Sequence, residues 1–222
     1  MCGRFVRAVS LEDIADEFGT DKPDIDLSPS YNIAPSQNIA IIISGAKKRL
    51  NIAKWGLVPS WAKDPSIGNK MINARSESVA EKPSFKFSFS HHRVLIPATG
   101  FYEWKREGKI RTPYFIRIKS RPCFVFAGLV SYWKSPKGEQ ICTSAIITTN
   151  ANDLIHPIHN RMPVIIKKAD EDMWLEGEQQ DKKNLLTLLK PYPSDEMDFY
   201  TVSTMVNSPS NNSPECINHV QA

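Results

Sequence analysis

The chain has 222 residues, 41% hydrophobic and 23% charged, with a formal net charge of +4. That length suits one large domain with a substantial core, and so modest a charge permits an anionic partner without requiring one. No apolar run approaches the roughly 20 residues of a membrane span and no signal-peptide pattern follows Met1, so a soluble, cytoplasmic protein without a membrane partner is expected.

After an opening segment of strand character, Ser10 reads as an N-cap with Glu12 and Asp13 in the first turn, and Leu11, Ile14, Ala15 and Phe18 fall at helical spacing before Gly19. A loop follows over 21–35. Ile39 to Ile43 and Leu50 to Trp55 then predict a strand hairpin turning through Gly45. A polar loop leads on to Asn73-Ala74-Arg75, and Ser76 to Ala80 is expected to start a helix. From Arg93 the pattern is chiefly strand, over 94–97, 100–105, 114–119, 123–132 and 141–149, which predicts a mainly antiparallel barrel or curled sheet. A helical turn is expected over 152–155, a strand over 163–166, and helices over 169–175 and 182–189. The Ser, Pro and Asn run of 208–214 reads as a surface connection.

Chemistry begins at the first residues. The cell's removal of Met1 before a small residue leaves Cys2 with an α-amine and a thiol two carbons apart, which titrate near ~7.7–8.0 and ~8.5 when free. Such a pair condenses with an aldehyde to an imine that the thiol closes to a thiazolidine; the alternative for Cys2 is simple burial under the first strand. Cys123, Cys142 and Cys216 are scattered, with no zinc-ligand spacing and no Cys-x-x-Cys, so a reducing compartment and no metal are expected. Nucleotide-binding and hydrolase signatures are absent, and no cofactor is expected.

Strand alternation puts Glu103 on the face of Phe101 and away from Tyr102 and Trp104. In a cleft, its carboxyl would titrate upward and shuttle protons; its alternative is an exposed edge-strand carboxylate. His159, in a proline-bracketed loop with His156 as rival, is a second acid–base candidate, and Asn73 is placed to orient an amine or a ring oxygen. Arg4, Arg75 and Arg161 each follow a candidate by two residues, so in extended backbone each stands on its side as a phosphate contact. Phe5, Trp61, Tyr102 and Trp104 are either stacking surfaces for unpaired bases or core aromatics.

Met1-Cys2-Gly3-Arg4-Phe5, Tyr31-Asn32-Ile33-Ala34-Pro35, Trp55-Gly56-Leu57-Val58-Pro59, Ile72-Asn73-Ala74-Arg75-Ser76-Glu77, the 97–105 run and the 156–163 run together resemble the SRAP family, the SOS response-associated peptidase or abasic-site processing proteins. The resemblance runs from residue 2 through Cys216. It implies an α+β fold, a single domain over 1–222 with a central, mainly antiparallel barrel-like sheet, short flanking helices and a surface segment at 208–222. It also implies a monomer that needs no cofactor, has a basic groove for single-stranded DNA, and captures abasic sites covalently through Cys2, associating with the nucleoid when bound. Cys2, Asn73, Glu103 and His159 match the family's catalytic positions, and Arg4, Arg75 and Arg161, with Trp61 and Trp104, its DNA contacts. Trp61-Ala62 departs from a frequent Trp-Trp pair. Two other readings remain open: a cysteine-type (auto)peptidase using Cys2, and a non-covalent reader of single-stranded or modified DNA.

Overall fold

The structure, a computed structural model, describes residues 2–21, 24–175 and 182–220. In chain order the elements are β1 (Phe5–Arg7), α1 (Leu11–Phe18), β2 (Ser30–Ile33), β3 (Asn38–Ile43), β4 (Arg49–Trp55), β5 (Asn73–Arg75), α2 (Lys86–His91), β6 (Arg93–Ala98), β7 (Gly100–Glu107), β8 (Ile110–Ile118), β9 (Phe124–Lys134), β10 (Gln140–Asn150), β11 (Arg161–Pro163), β12 (Ile165–Ile166), α3 (Glu171–Leu175), α4 (Lys182–Thr187) and β13 (Met197–Thr201).

The long β-branched runs make the centre. Strands β10, β4, β3, β6 and β9 pair in that order, and β9 pairs back to β10, so the five close a barrel. All its pairings are antiparallel except β10–β4, which is parallel. A second antiparallel sheet, ordered β13-β8-β7-β1-β2, packs beside it. Alternation then divides β3, β6, β9 and β10 between two cores, while β4 buries chiefly the face of Ala53 and Trp55. Ile39, Ile41, Trp55, Ile96 and Phe126 join Phe5 and Phe101 of the second sheet, whereas Ala40, Ile42, Leu95, Ala127 and Ile147 are covered by Ile14, Phe18, Phe89 and Trp174 from the helices. Burial on both faces is why these strands read as continuous apolar runs. The α+β, mainly antiparallel barrel expected from the sequence is the fold observed.

Helix α1 has the expected ends. The Ser10 hydroxyl accepts from the Asp13 N–H, the Asp13 carboxylate accepts from the Ser10 N–H, and Gly19 closes the helix in the left-handed conformation (φ 63°). The helix expected from Ser76 is not there. Ser76 donates its N–H to the Thr148 carbonyl (2.9 Å), which ties that segment to the barrel as successive turns, and the helix forms after Pro83 as α2, where Phe85 and Phe89 stand a helical turn apart in the core. The expected 182–189 helix is shorter, ending at Thr187. At 169–175, a 3-10 turn over Lys168–Asp170 precedes α3.

Gly56 delivers the loop that carries Asn73. Its φ of +132° lies where side chains are strained, and a Cβ there would stand 2.7 Å from the Gly68 carbonyl oxygen, so the two ends of the 56–68 loop touch backbone to backbone. The Trp55 indole then donates to the Ile72 carbonyl (2.9 Å), fixing the entry to β5. Gly56→Ala is expected to lower stability by about 1–3 kcal/mol. Urea unfolding checks this; an unshifted midpoint would show that the loop closes without the backbone contact.

Candidate functional site

The site is assembled at the far end of β10. There β10 has left β9 and β4 behind and takes two new partners. Strand β5 lies parallel along one edge, pairing Asn73 with Ile146 and Arg75 with Thr148. Strand β11 lies antiparallel along the other, pairing Arg161 with Asn150. From the second sheet, β1 brings in the amino-terminal residues: Phe5 pairs with Phe101, and Tyr102 donates its N–H to the Arg4 carbonyl (3.0 Å). Continuing that antiparallel register sets Gly3 opposite Glu103.

Cys2 and Asn73 meet directly, since the Asn73 side-chain Nδ2 donates to the Cys2 carbonyl at 2.9 Å. The Asn73 Oδ1 is buried and accepts no hydrogen bond among the described residues. Cys2 is fully buried in the chain with Met1 still attached. Burial first, and the Glu103 charge second, push its thiol well above the range of a free thiol. The sequence expectation of a partly ionised thiol at neutral pH therefore does not hold for this form, in which sulfur stays protonated.

Glu103 is buried too, at 4% exposure, so the exposed-edge alternative is overturned. Alternation is as expected, with Phe101 packing into the barrel core and Tyr102 into a cluster with Phe115 on the opposite face. Burial raises the Glu103 carboxyl to about 7. His159 Nδ1 lies 3.0 Å from the Arg161 N–H and 3.2 Å from the Arg161 carbonyl; the shorter contact, whose N–H can only donate, assigns Nδ1 as acceptor and the neutral ring's proton to Nε2. Burial holds the His159 pKa below its ordinary value, which keeps the ring neutral. Its rival His156 is exposed and outside the cleft that His159 lines.

That cleft has a volume of about 810 Å³ and is lined by Gly3, Arg4, Glu103, Trp104 and His159, with Lys105, Arg106 and Arg111 from the β7–β8 hairpin and Asn207 from the C-terminal segment. The predicted arginines fare differently. Arg4 lines the cleft, but its Nη1 donates to Asn32 Oδ1 (2.6 Å) and the Val206 carbonyl (2.7 Å). Arg161 forms a two-pronged ion pair with Glu77 and also donates to Asn150 Oδ1 (3.0 Å) and the Thr148 carbonyl (2.6 Å). Arg75 is exposed on β5. Among the aromatics, Phe5 and Tyr102 are core residues, Trp61 is 61% exposed, and Trp104 is half-buried at the cleft with its indole donating to Asn207 Oδ1 (2.7 Å).

Two parts of the site escaped the sequence reading. The hairpin's basic cluster, Lys105-Arg106-Glu107-Gly108-Lys109-Ile110-Arg111, was legible as charge but not as part of this cleft. Asn207 supplies a cleft wall just ahead of the 208–214 run, which is largely exposed, and the segment is pinned by buried Asn32. The Asn32 Nδ2 lies within hydrogen-bond distance of the carbonyls of Val206 (3.3 Å), Ser208 (3.0 Å) and Asn211 (2.7 Å). Among the described residues no cluster of acidic, His and Cys side chains could hold a metal.

The profile of a family described as SOS response associated peptidase (SRAP) matches residues 1–209. Abasic site processing protein YoqW of Bacillus subtilis (strain 168) is 49% identical over 221 residues, covering 98% of this chain and 99% of its own. Abasic site processing protein HMCES of Xenopus tropicalis is 32% identical over 222 residues, covering 85% of this chain and 65% of its own. A crystal structure of a Bacteroides thetaiotaomicron protein, 28% identical, superposes with a TM-score of 0.92 over 99% of this chain and 100% of that one. A Bordetella bronchiseptica protein, 21% identical with a TM-score of 0.78 over 91% of this chain and 100% of that one, shares the fold.

Glu103 makes stability pH-dependent with a defined sign. Its carboxyl ionises near 7 when folded against an ordinary 4.5, so the folded chain keeps a proton that the unfolded chain has lost. Stability from this group is full below about pH 4.5 and is lost as pH rises through about 7, by an amount on the order of 3 kcal/mol. Glu103→Gln is expected to remove that loss. Urea unfolding of both proteins at pH 5 and pH 8 tests it, and curves that run parallel across the range would refute it.

Proposed function

Because the chain belongs to the SOS response associated peptidase (SRAP) family, we propose that it processes abasic sites in DNA, through a thiazolidine between Cys2, bared by Met1 removal, and the opened sugar of a single-stranded site. The abasic-site processing named for its relatives supports the substrate. The observation that carries the chemistry is the 2.9 Å bond from Asn73 to the Cys2 carbonyl, with the buried Asn73 Oδ1 left as an acceptor for the amine that Met1 removal creates.

Hydrolysis of the Met1–Cys2 amide takes up one water and frees the α-amine. The abasic sugar exists as a closed hemiacetal and an open aldehyde; opening moves a proton from the C1′ hydroxyl to the ring oxygen, and a carboxyl titrating near 7 serves as the relay. The amine then adds to C1′. The Glu103 carboxyl protonates the departing hydroxyl, which His159 Nε2–H steadies by a hydrogen bond, and the carboxylate takes the proton from nitrogen, so water leaves and an imine remains. Finally the Cys2 sulfur bonds to C1′, and its proton reaches the ring nitrogen through Glu103. A thiol held protonated by burial is unreactive until that last step, where a neighbouring carboxylate takes its proton, and intramolecular delivery gives effective molarities of ~10⁵–10⁸ M. The ring blocks the β-elimination by which a persistent imine would cut the strand. Binding rests on phosphate and stacking, so it is indifferent to sequence and weakens with salt.

The family's description as a peptidase motivates a second reading, in which the same groups cleave the chain's own Met1–Cys2 amide. Intact-protein mass of the full chain, with and without Cys2, separates self-removal of Met1 from removal by the host.

Cys2→Ser is expected to abolish the heat-stable adduct with an abasic single-stranded oligonucleotide, leaving a reversible adduct or a cut strand. Glu103→Gln should slow capture by about 10²–10⁴-fold. Denaturing gels over a time course read both, and an unchanged heat-stable band with Cys2→Ser would sink the ring chemistry.

A further inference from the structure

We infer that the β7–β8 hairpin is a phosphate-gripping arm, in which Arg106 and Arg111 together hold the phosphodiester backbone beside the damaged nucleotide. This rests on the reading that the cleft receives DNA.

The two arginines are directly opposed in the antiparallel register of β7 and β8. Like charges opposite one another destabilise a strand pair, so the hairpin carries a repulsion that an anion between them would relieve. Two other cations of the hairpin are neutralised locally, Lys105 by Glu107 (2.9 Å) and Arg117 by Asp198 (3.3 Å), and Lys109 at the turn is exposed but does not line the cleft. Arg106 and Arg111 have neither an ion pair nor a side-chain hydrogen bond among the described residues, and both are exposed. Both line the cleft that holds Glu103 and His159. The Arg111 guanidinium carbon also lies 5.8 Å from the centroid of the Trp104 ring, as does that of Arg4, which sets charge and stacking surface together.

The other candidate cations sharpen the assignment. The Arg4 Nη1 is already bound to Asn32 and Val206, and the Arg161 terminal nitrogens to Glu77, Asn150 and Thr148. A phosphate must compete with those partners, whereas at the hairpin it meets two unneutralised guanidinium groups, each able to present two parallel N–H donors.

The test is DNA affinity as a function of salt for the full chain and its Arg106→Gln, Arg111→Gln and double variants. An undamaged oligothymidylate serves as the single-stranded probe, and the same strand with a flanking duplex as the second. Each substitution is expected to flatten the plot of log affinity against log salt by about 0.7 on the single strand, and the double by about 1.4. Arg106→Lys and Arg111→Lys should restore most of the slope, because charge is kept. The double variant's urea midpoint should stay level or rise as the repulsion is removed. A slope change confined to the duplex-bearing probe supports the arm and assigns it to the flanking duplex. Unchanged slopes on both probes, or a fallen midpoint that accounts for the lost affinity, would overturn the arm and leave covalent capture standing. Failure of the unsubstituted chain to bind either probe would instead overturn the function reading itself.

Discussion

The change of partners along β10 is the constraint on which the rest depends. This strand pairs with β4 through Ser144 and with β9 through Ile146, and from Ile146 onward its edges are taken up by β5 and then β11. The ring must part there because β9 turns toward β12, and the short strands that fill the gap bring Asn73 from one side and Arg161, with the preceding His159, from the other. A slip of one residue in the β5 register would turn Asn73 away from Cys2, since side chains alternate faces along a strand, and one in the β11 register would displace Arg161. The precision of the site is therefore inherited from ladder hydrogen bonds, and not from the loops that lead to it.

That geometry imposes an electrostatic consequence. Bringing the amino-terminal residues under the second sheet buries a thiol and a carboxyl together, and burial disfavours the charged form of each. The thiol consequently holds its proton at rest, and the carboxyl is divided between its two forms near neutrality. A carboxyl poised near neutrality can give a proton and take one back, while a thiol held neutral does not react with small oxidants or electrophiles as a free thiolate would. The same burial that reduces stability at high pH is what makes Glu103 useful as a relay, a strain of the kind that functional sites retain.

Much of this was legible in the sequence, for physical reasons that can be named. Helix α1 announced itself through Ser10, its apolar spacing and Gly19. The barrel strands were legible because two-sided burial leaves short runs rich in β-branched residues, bounded by turn residues. Cys2, Asn73, Glu103 and His159 were found as candidates, yet only the family resemblance implied that they share a site, because the parallel β5–β10 pairing joins residues some seventy positions apart. The helix expected at Ser76 failed because tertiary bonding to Thr148 outweighed a local capping signal, and local propensity is a weak prior. Asn32 gave no sign of its role: a buried amide bridging Arg4 to three carbonyls of the C-terminal segment depends wholly on which chain ends lie side by side.

The distribution of charge completes the argument. A net charge of +4 says little, because what matters is which cations remain unneutralised where a polyanion could reach them. Arg4 and Arg161 act inward as well as outward, one fastening the C-terminal wall and the other tying β11 to Glu77, Asn150 and the Thr148 carbonyl. Substituting either would disturb the shape of the site along with its charge. Arg106 and Arg111 hold no such structural duty, so the fold can tolerate their repulsion and leave them to a ligand. A cleft built this way separates its tasks: buried groups on paired strands set the chemistry, while exposed groups at a hairpin's end set the grip, and the two can vary independently.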